Sequence, residues 1–68
     1  MANMDLLRAK IDAVGIPITT LANKCGMTRH SLYNKLDGTS EFKASEICLI
    51  STALNLQTTE RNAIFFGD

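Results

Sequence analysis

Three residues at fixed spacing constrain this chain most. Within Leu21-Ala22-Asn23-Lys24-Cys25-Gly26-Met27-Thr28-Arg29-His30-Ser31-Leu32, Ala22 stands four residues before Gly26, and Leu32 stands six after it. Two short helices that cross closely need a small side chain at the crossing, and Ala22 supplies one. The first of them must end where the backbone takes φ > 0, which Gly26 does without steric penalty. Leu32 is then the inward-facing anchor of the second. The spacing predicts a helix-turn-helix.

With 68 residues, the chain is read as a single domain over 1–68. One core of that size stabilises only slightly, and dimerisation is a common supplement. The apolar fraction of 46% suits a globular helical protein and argues against disorder. No apolar run approaches the roughly 20 residues that span a bilayer. The N-terminal stretch carries Asp5 and Asp12 and lacks a basic-then-apolar leader. The expected location is cytoplasmic, with no membrane partner.

Helices are expected throughout, joined by short turns, so the fold class is all-α. The first covers 4–14, with Asn3 as N-cap, Asp5 in the first turn and a stripe of Leu7, Ile11 and Val14. Gly15 closes it and Pro17 opens the second, over 18–25, which buries Leu21, Ala22 and Cys25. Gly26 and Met27 turn the chain, and Thr28 caps a third helix running to residue 36. Leu32 and Leu36 share its buried face, and Asp37-Gly38 stops it. In the loop 39–43, Phe42 is expected to tuck into the core. The fourth helix covers 44–54, with Ile47, Ile50 and Leu54 inward, Cys48 and Leu49 widening that face, and Asn55 ending it. The fifth starts at Thr58, read as its N-cap, and reaches residue 66. Of Phe65 and Phe66, one packs on the core and the other is available to a dimer contact, since adjacent helical residues cannot both point inward.

Charge is unevenly spread along a chain of zero net charge. Residues 1–17 balance Arg8 and Lys10 against Asp5 and Asp12. Residues 18–43 carry Lys24, Arg29, Lys35 and Lys43 against Asp37 and Glu41, an excess of +2. Residues 44–68 carry Arg61 against Glu46, Glu60 and Asp68, for −2. The positive excess coincides with the helix-turn-helix, which suits a nucleic-acid surface of modest non-specific affinity. Cys25 and Cys48 are read as two small buried residues in a reducing compartment. No zinc-ligand spacing surrounds them or the single histidine, His30, so no metal and no cofactor are expected. His30 also lacks an acidic or nucleophilic partner at a suggestive spacing, which argues against an enzyme.

The second helix of a helix-turn-helix lies in the major groove of DNA. With Leu32 and Leu36 buried, its outer face presents Arg29, His30, Tyr33 and Asn34 as candidate base contacts. Arginine pairs bidentately with guanine and asparagine with adenine. Candidate phosphate contacts are Thr19 and Thr20 at the start of the second helix, Thr28 and Ser31 at the start of the third, and Lys35 and Lys43 flanking the third.

These residues, from Leu21-Ala22 through Leu32 and Asp37-Gly38, resemble the Cro/repressor-type (lambda repressor-like) helix-turn-helix family. Two later segments, Glu41-Phe42-Lys43-Ala44-Ser45-Glu46-Ile47 and Leu54-Asn55-Leu56-Gln57-Thr58-Thr59-Glu60-Arg61 through Ile64-Phe65-Phe66, are similar to its small phage-encoded members. The resemblance extends from about Leu6 to Phe66. It implies a compact five-helix domain, with the helix-turn-helix at helices 2 and 3. It also implies binding to double-stranded operator DNA through a recognition helix over 28–36, usually as a homodimer, to repress transcription in a bacterial host. Two departures stand out. Ile18 occupies the position where the family commonly starts its second helix with glutamine. Lys35 occupies an apolar position three residues after the Leu32 anchor.

A sequence-specific repressor of a phage or prophage switch is the expectation that follows. The competing expectation is a protein-interaction module of the same fold, an anti-repressor or transcription-factor partner, which the zero net charge favours. A DNA-binding antitoxin shares the chemistry but usually carries a toxin-wrapping tail.

Overall fold

Each helix starts and stops where short-range hydrogen bonding tells it to. The computed structural model describes residues 2–67. Asp68, counted above in the C-terminal charge, lies outside them. Five α-helices follow one another: α1 (Met4–Val14), α2 (Ile18–Lys24), α3 (Arg29–Leu36), α4 (Ala44–Ala53) and α5 (Thr58–Phe65). No strand occurs among the described residues. The chain is all-α, as its periodicity predicts.

The caps explain the boundaries. The Asn3 side chain accepts from the Leu6 N–H at 3.0 Å, and Gly15 ends α1 with φ 78°. Pro17 precedes α2, and its carbonyl accepts from the Leu21 N–H. At α4 and α5 the cap works from inside the helix. Glu46 Oε1 accepts from the Lys43 N–H at 2.8 Å, and Glu60 Oε1 from the Gln57 N–H at 3.0 Å. Gln57, not Thr58, is therefore the residue that caps α5. The third helical residue is the one whose carboxylate reaches back to the cap, and Glu60 stands three after Gln57. The expected ends at residues 25, 54 and 66 each move back by one, because Cys25, Leu54 and Phe66 are the capping residues themselves. Asn55 continues past α4 with φ 54°. The Leu56 N–H then folds back to the Ser51 carbonyl at 2.9 Å. Asparagine tolerates that left-handed geometry better than other side chains.

Helix α2 packs on α3 and α4, while α1 packs on α3 and α5. Leu7, Leu21, Leu32 and Ile50 meet at the centre with no exposure, and Ala22 fits the α2–α3 crossing at 1%. Leu36, Leu54, Ile64 and Phe65 complete the core. Phe65 is the buried member of its pair and Phe66 the exposed one, at 54%. Phe42 packs against the core from the loop after α3.

Three expected core positions are corrected. Val14 is exposed, as are all of residues 12–15, so the last turn of α1 projects beyond its neighbours. Cys48 and Leu49 are exposed. Within α4 only Ile50 is fully buried, Glu46, Ile47, Ser51 and Ala53 are half-buried, and Leu54 at the cap completes the inward side. Both cysteines are free thiols.

Candidate nucleic-acid interface

The α2–α3 junction is built by a hydrogen-bonded reversal. The Gly26 N–H donates to the Asn23 carbonyl at 3.1 Å, and the Met27 N–H donates to the Ala22 carbonyl at 3.0 Å. This pair of bonds is the Schellman arrangement, and it requires the left-handed φ of 69° found at Gly26. Thr28 follows in extended conformation, and its Oγ1 accepts from the Ser31 N–H at 3.1 Å, starting α3. Cys25, at the end of α2, is 3% exposed. Burial first, and the nearby negative charge of Glu46 second, push its thiol pKa up. It is an inert packing group, since the thiolate is the reactive form.

Helix α3 turns Leu32 and Leu36 inward and Arg29, His30 and Tyr33 outward. Asn34 is half-buried. Its Nδ2 lies 3.3 Å from His30 Nε2 one turn earlier, within donating distance when the ring proton is on Nδ1. The Asn34 carbonyl accepts from the Thr39 and Ser40 N–H groups at 2.9 and 3.3 Å, fastening the following loop to the end of α3. The four expected base-contact residues thus share one helix, three on its open face and Asn34 at that face's edge.

Among the expected phosphate contacts, Thr19, Thr20, Thr28 and Lys43 are exposed. The Thr28 oxygen already accepts within its cap, leaving its hydroxyl proton free to donate. Ser31 is half-buried and lines a shallow depression with Thr28, Gly26 and Glu46. Lys35 is corrected outright. It stands in the inward register with Leu32 and Leu36, is 8% exposed, and its Nζ lies 3.6 Å from Glu46 Oε1. Its stem packs inward and its ammonium is paired with a carboxylate, so it does not stand on the surface as a free cation.

Glu46 is the residue that sequence reasoning missed at this site. Its signal was present as a glutamate three residues after the cap of α4. A lysine in that cap position disguised the pattern, because lysine has no acceptor.

The local charge excess survives these pairings. Asp37 is neutralised by Arg8 at 2.8 Å and Lys35 by Glu46. Exposed Lys24, Arg29 and Lys43 remain in 18–43 against exposed Glu41, again an excess of +2. On the far side of α1, Lys10 pairs with Glu60 at 2.8 Å. No group of three or more potential metal-ligating side chains occurs among the described residues. None of their helices is long and apolar enough to cross a membrane.

Comparison with known proteins returns no matching family model, no matching curated protein and no matching solved structure.

Proposed function

We propose that this chain is a sequence-specific DNA-binding transcriptional regulator of the lambda repressor-like kind, a repressor in a phage or prophage switch. The observation that carries this reading is the outer face of α3. Arg29, His30 and Tyr33 stand in solvent on a short helix whose opposite side is locked to α2 by Ala22 and Leu32. A rigid short helix with a polar, arginine-bearing face fits the major groove. Thr19, Thr20, Thr28 and Lys43, all exposed and near the starts of α2, α3 and α4, offer donors suited to phosphate. Lys35 takes no part in DNA contact.

Repression follows by occlusion. Two copies bind a near-palindrome with their recognition helices about 34 Å apart, and polymerase is excluded. The exposed Phe66 is available to the contact between copies. No step of this mechanism requires a catalytic group, a metal or a cofactor.

The test is selection of bound oligonucleotides from a random pool, followed by titration of the selected duplex and a scrambled one. At about 150 mM salt the selected duplex is expected to bind at least about 10³-fold more tightly. Equal binding to both overturns the reading. The zero net charge favours one rival, a protein-interaction module of the same architecture. That rival predicts a protein partner in pull-down, with DNA affinity indifferent to Arg29→Ala and Asn34→Ala.

A further inference from the structure

A lysine turned toward the core of a 68-residue chain needs a reason. Lys35 stands where α3 turns inward, and an apolar side chain there would bury more favourably. Its side chain is 9% exposed, and that of its partner Glu46 16%. The separation of 3.6 Å makes this an ion pair without a direct hydrogen bond.

Glu46 has other attachments. The oxygen that faces Lys35 also accepts from the Lys43 N–H at 2.8 Å, at the first turn of α4. The same side chain borders the depression beside Gly26, Thr28 and Ser31, where α2 turns into α3. One carboxylate thus links the inward side of α3 to the start of α4 and borders the turn. The principal packing of α3 is against α1 and α2, and that of α4 is against α2. Apolar contact of this kind is non-directional. The connecting loop is held to the Asn34 carbonyl and through Phe42 to Phe65. The Lys35–Glu46 pair is the side-chain link that joins α3 to the first turn of α4 directly. A buried charge pair penalises any offset that separates it, and register is the best attested use of such pairs.

We propose that Glu46, acting through Lys35, is a positioning residue that sets the offset of α3 from the first turn of α4. The pair thereby fixes the distance between the base-reading face (Arg29, His30, Tyr33) and the phosphate anchor Lys43. The DNA consequence rests on the DNA-binding reading above; the structural consequence does not.

The experiment compares the full chain with Lys35→Met, Glu46→Gln, the double variant, and Lys35→Arg. The DNA-free readout is the amide NMR spectrum. Shifts in the two single variants are expected to spread through residues 29–36 and 43–46. Shifts confined to positions 35 and 46 and their chain neighbours overturn the proposal, whether or not the protein binds DNA. The second readout is the affinity ratio between a selected and a scrambled duplex. It is expected to fall about tenfold in Lys35→Met and Glu46→Gln, because a slightly displaced site loses its bidentate contacts. Lys35→Arg keeps the cation and is expected to keep the ratio. The double variant leaves no buried charge unpaired, so it is expected to melt no lower than wild type while losing the ratio as the single variants do. A double variant that melts lower but retains the ratio makes the pair merely structural and overturns the proposal. The salt slope of binding is expected to be unchanged in Lys35→Met. A slope smaller by about 0.9 makes Lys35 a direct phosphate contact and also overturns it. A wild-type chain with no sequence preference removes the DNA reading alone, and the amide spectrum then decides the pair.

Discussion

The ring of Phe42 meets the ring of Phe65 edge-on, with centroids 5.4 Å apart and planes at 77°. Phe42 belongs to the loop between α3 and α4, and Phe65 is the last residue of α5. The contact closes the loop over the core and fixes the approach to Lys43. Full burial of a phenylalanine contributes about 3–5 kcal/mol against alanine. Phe42 is half-buried, so Phe42→Ala is expected to destabilise by about 2 kcal/mol, including the lost edge-to-face term. Phe42→Leu retains most of the apolar area and is expected to lose about half as much. Urea denaturation followed by circular dichroism measures both, and a loss below about 0.5 kcal/mol for the alanine variant shows that the loop does not depend on this contact.

At Gly26 the strain of substitution is separable from crowding. A Cβ built there meets nothing within 4 Å, so only the φ of 69° opposes a side chain. Gly26→Ala is expected to destabilise by about 1–2 kcal/mol. Gly26→Asn is expected to lose less, since asparagine enters the left-handed region more readily, as Asn55 does in this chain. Equal losses for the two variants in urea denaturation contradict a backbone origin.

Much of this architecture is legible in local chemistry. Asn3, Thr28, Gly15, Gly26 and Asn55 each act on backbone groups a few residues away, so their effects can be read without knowing the fold. The outward face of α3 is likewise fixed once Leu32 and Leu36 are inward. The misreadings involve partners distant along the chain. Lys35 looks like a surface cation until Glu46, on another helix, takes up its charge. The width of the buried stripe on α4 depends on which helices lie against it. Ile47, Ile50 and Leu54 mark the stripe, but Cys48 and Leu49 fall outside it, while Ser51 falls inside with an unpartnered hydroxyl. The Gln57 cap was obscured because Thr58, the stronger capping type, stands beside it.

The Glu60 carboxyl gives stability a pH dependence of definite sign. Its backbone hydrogen bond from Gln57, and then its bond with Lys10, hold its pKa below the usual carboxylate value. A depressed folded-state pKa means that the unfolded chain binds the proton more readily. The contribution is therefore complete above the unfolded value of about 4.3 and is lost as pH falls through the folded value. Glu60→Gln keeps an oxygen for the Gln57 N–H but loses the charge. The variant is expected to melt slightly below wild type at pH 7, with the gap closing as the solution is acidified below about pH 4. Thermal melts across pH 3–7 check this, and a gap that widens on acidification contradicts it.

Arg29 and Lys43 separate reading from anchoring. Both are exposed, so truncating either is expected to change folding stability by less than about 0.5 kcal/mol. Arg29 begins α3 and Lys43 caps α4; under the proposed DNA-binding reading, the first reads a base edge and the second neutralises a phosphate. Arg29→Ala is expected to weaken the selected duplex by about 1–3 kcal/mol and to relax preference at one base position. Lys43→Ala is expected to weaken selected and scrambled duplexes alike, and to reduce the dependence of log K on log salt by about 0.9. Fluorescence anisotropy on both duplexes at several salt concentrations distinguishes the two patterns. If Arg29→Ala weakens both duplexes equally and Lys43→Ala alters preference, the assignment of base contact to α3 and phosphate contact to the start of α4 must be reversed.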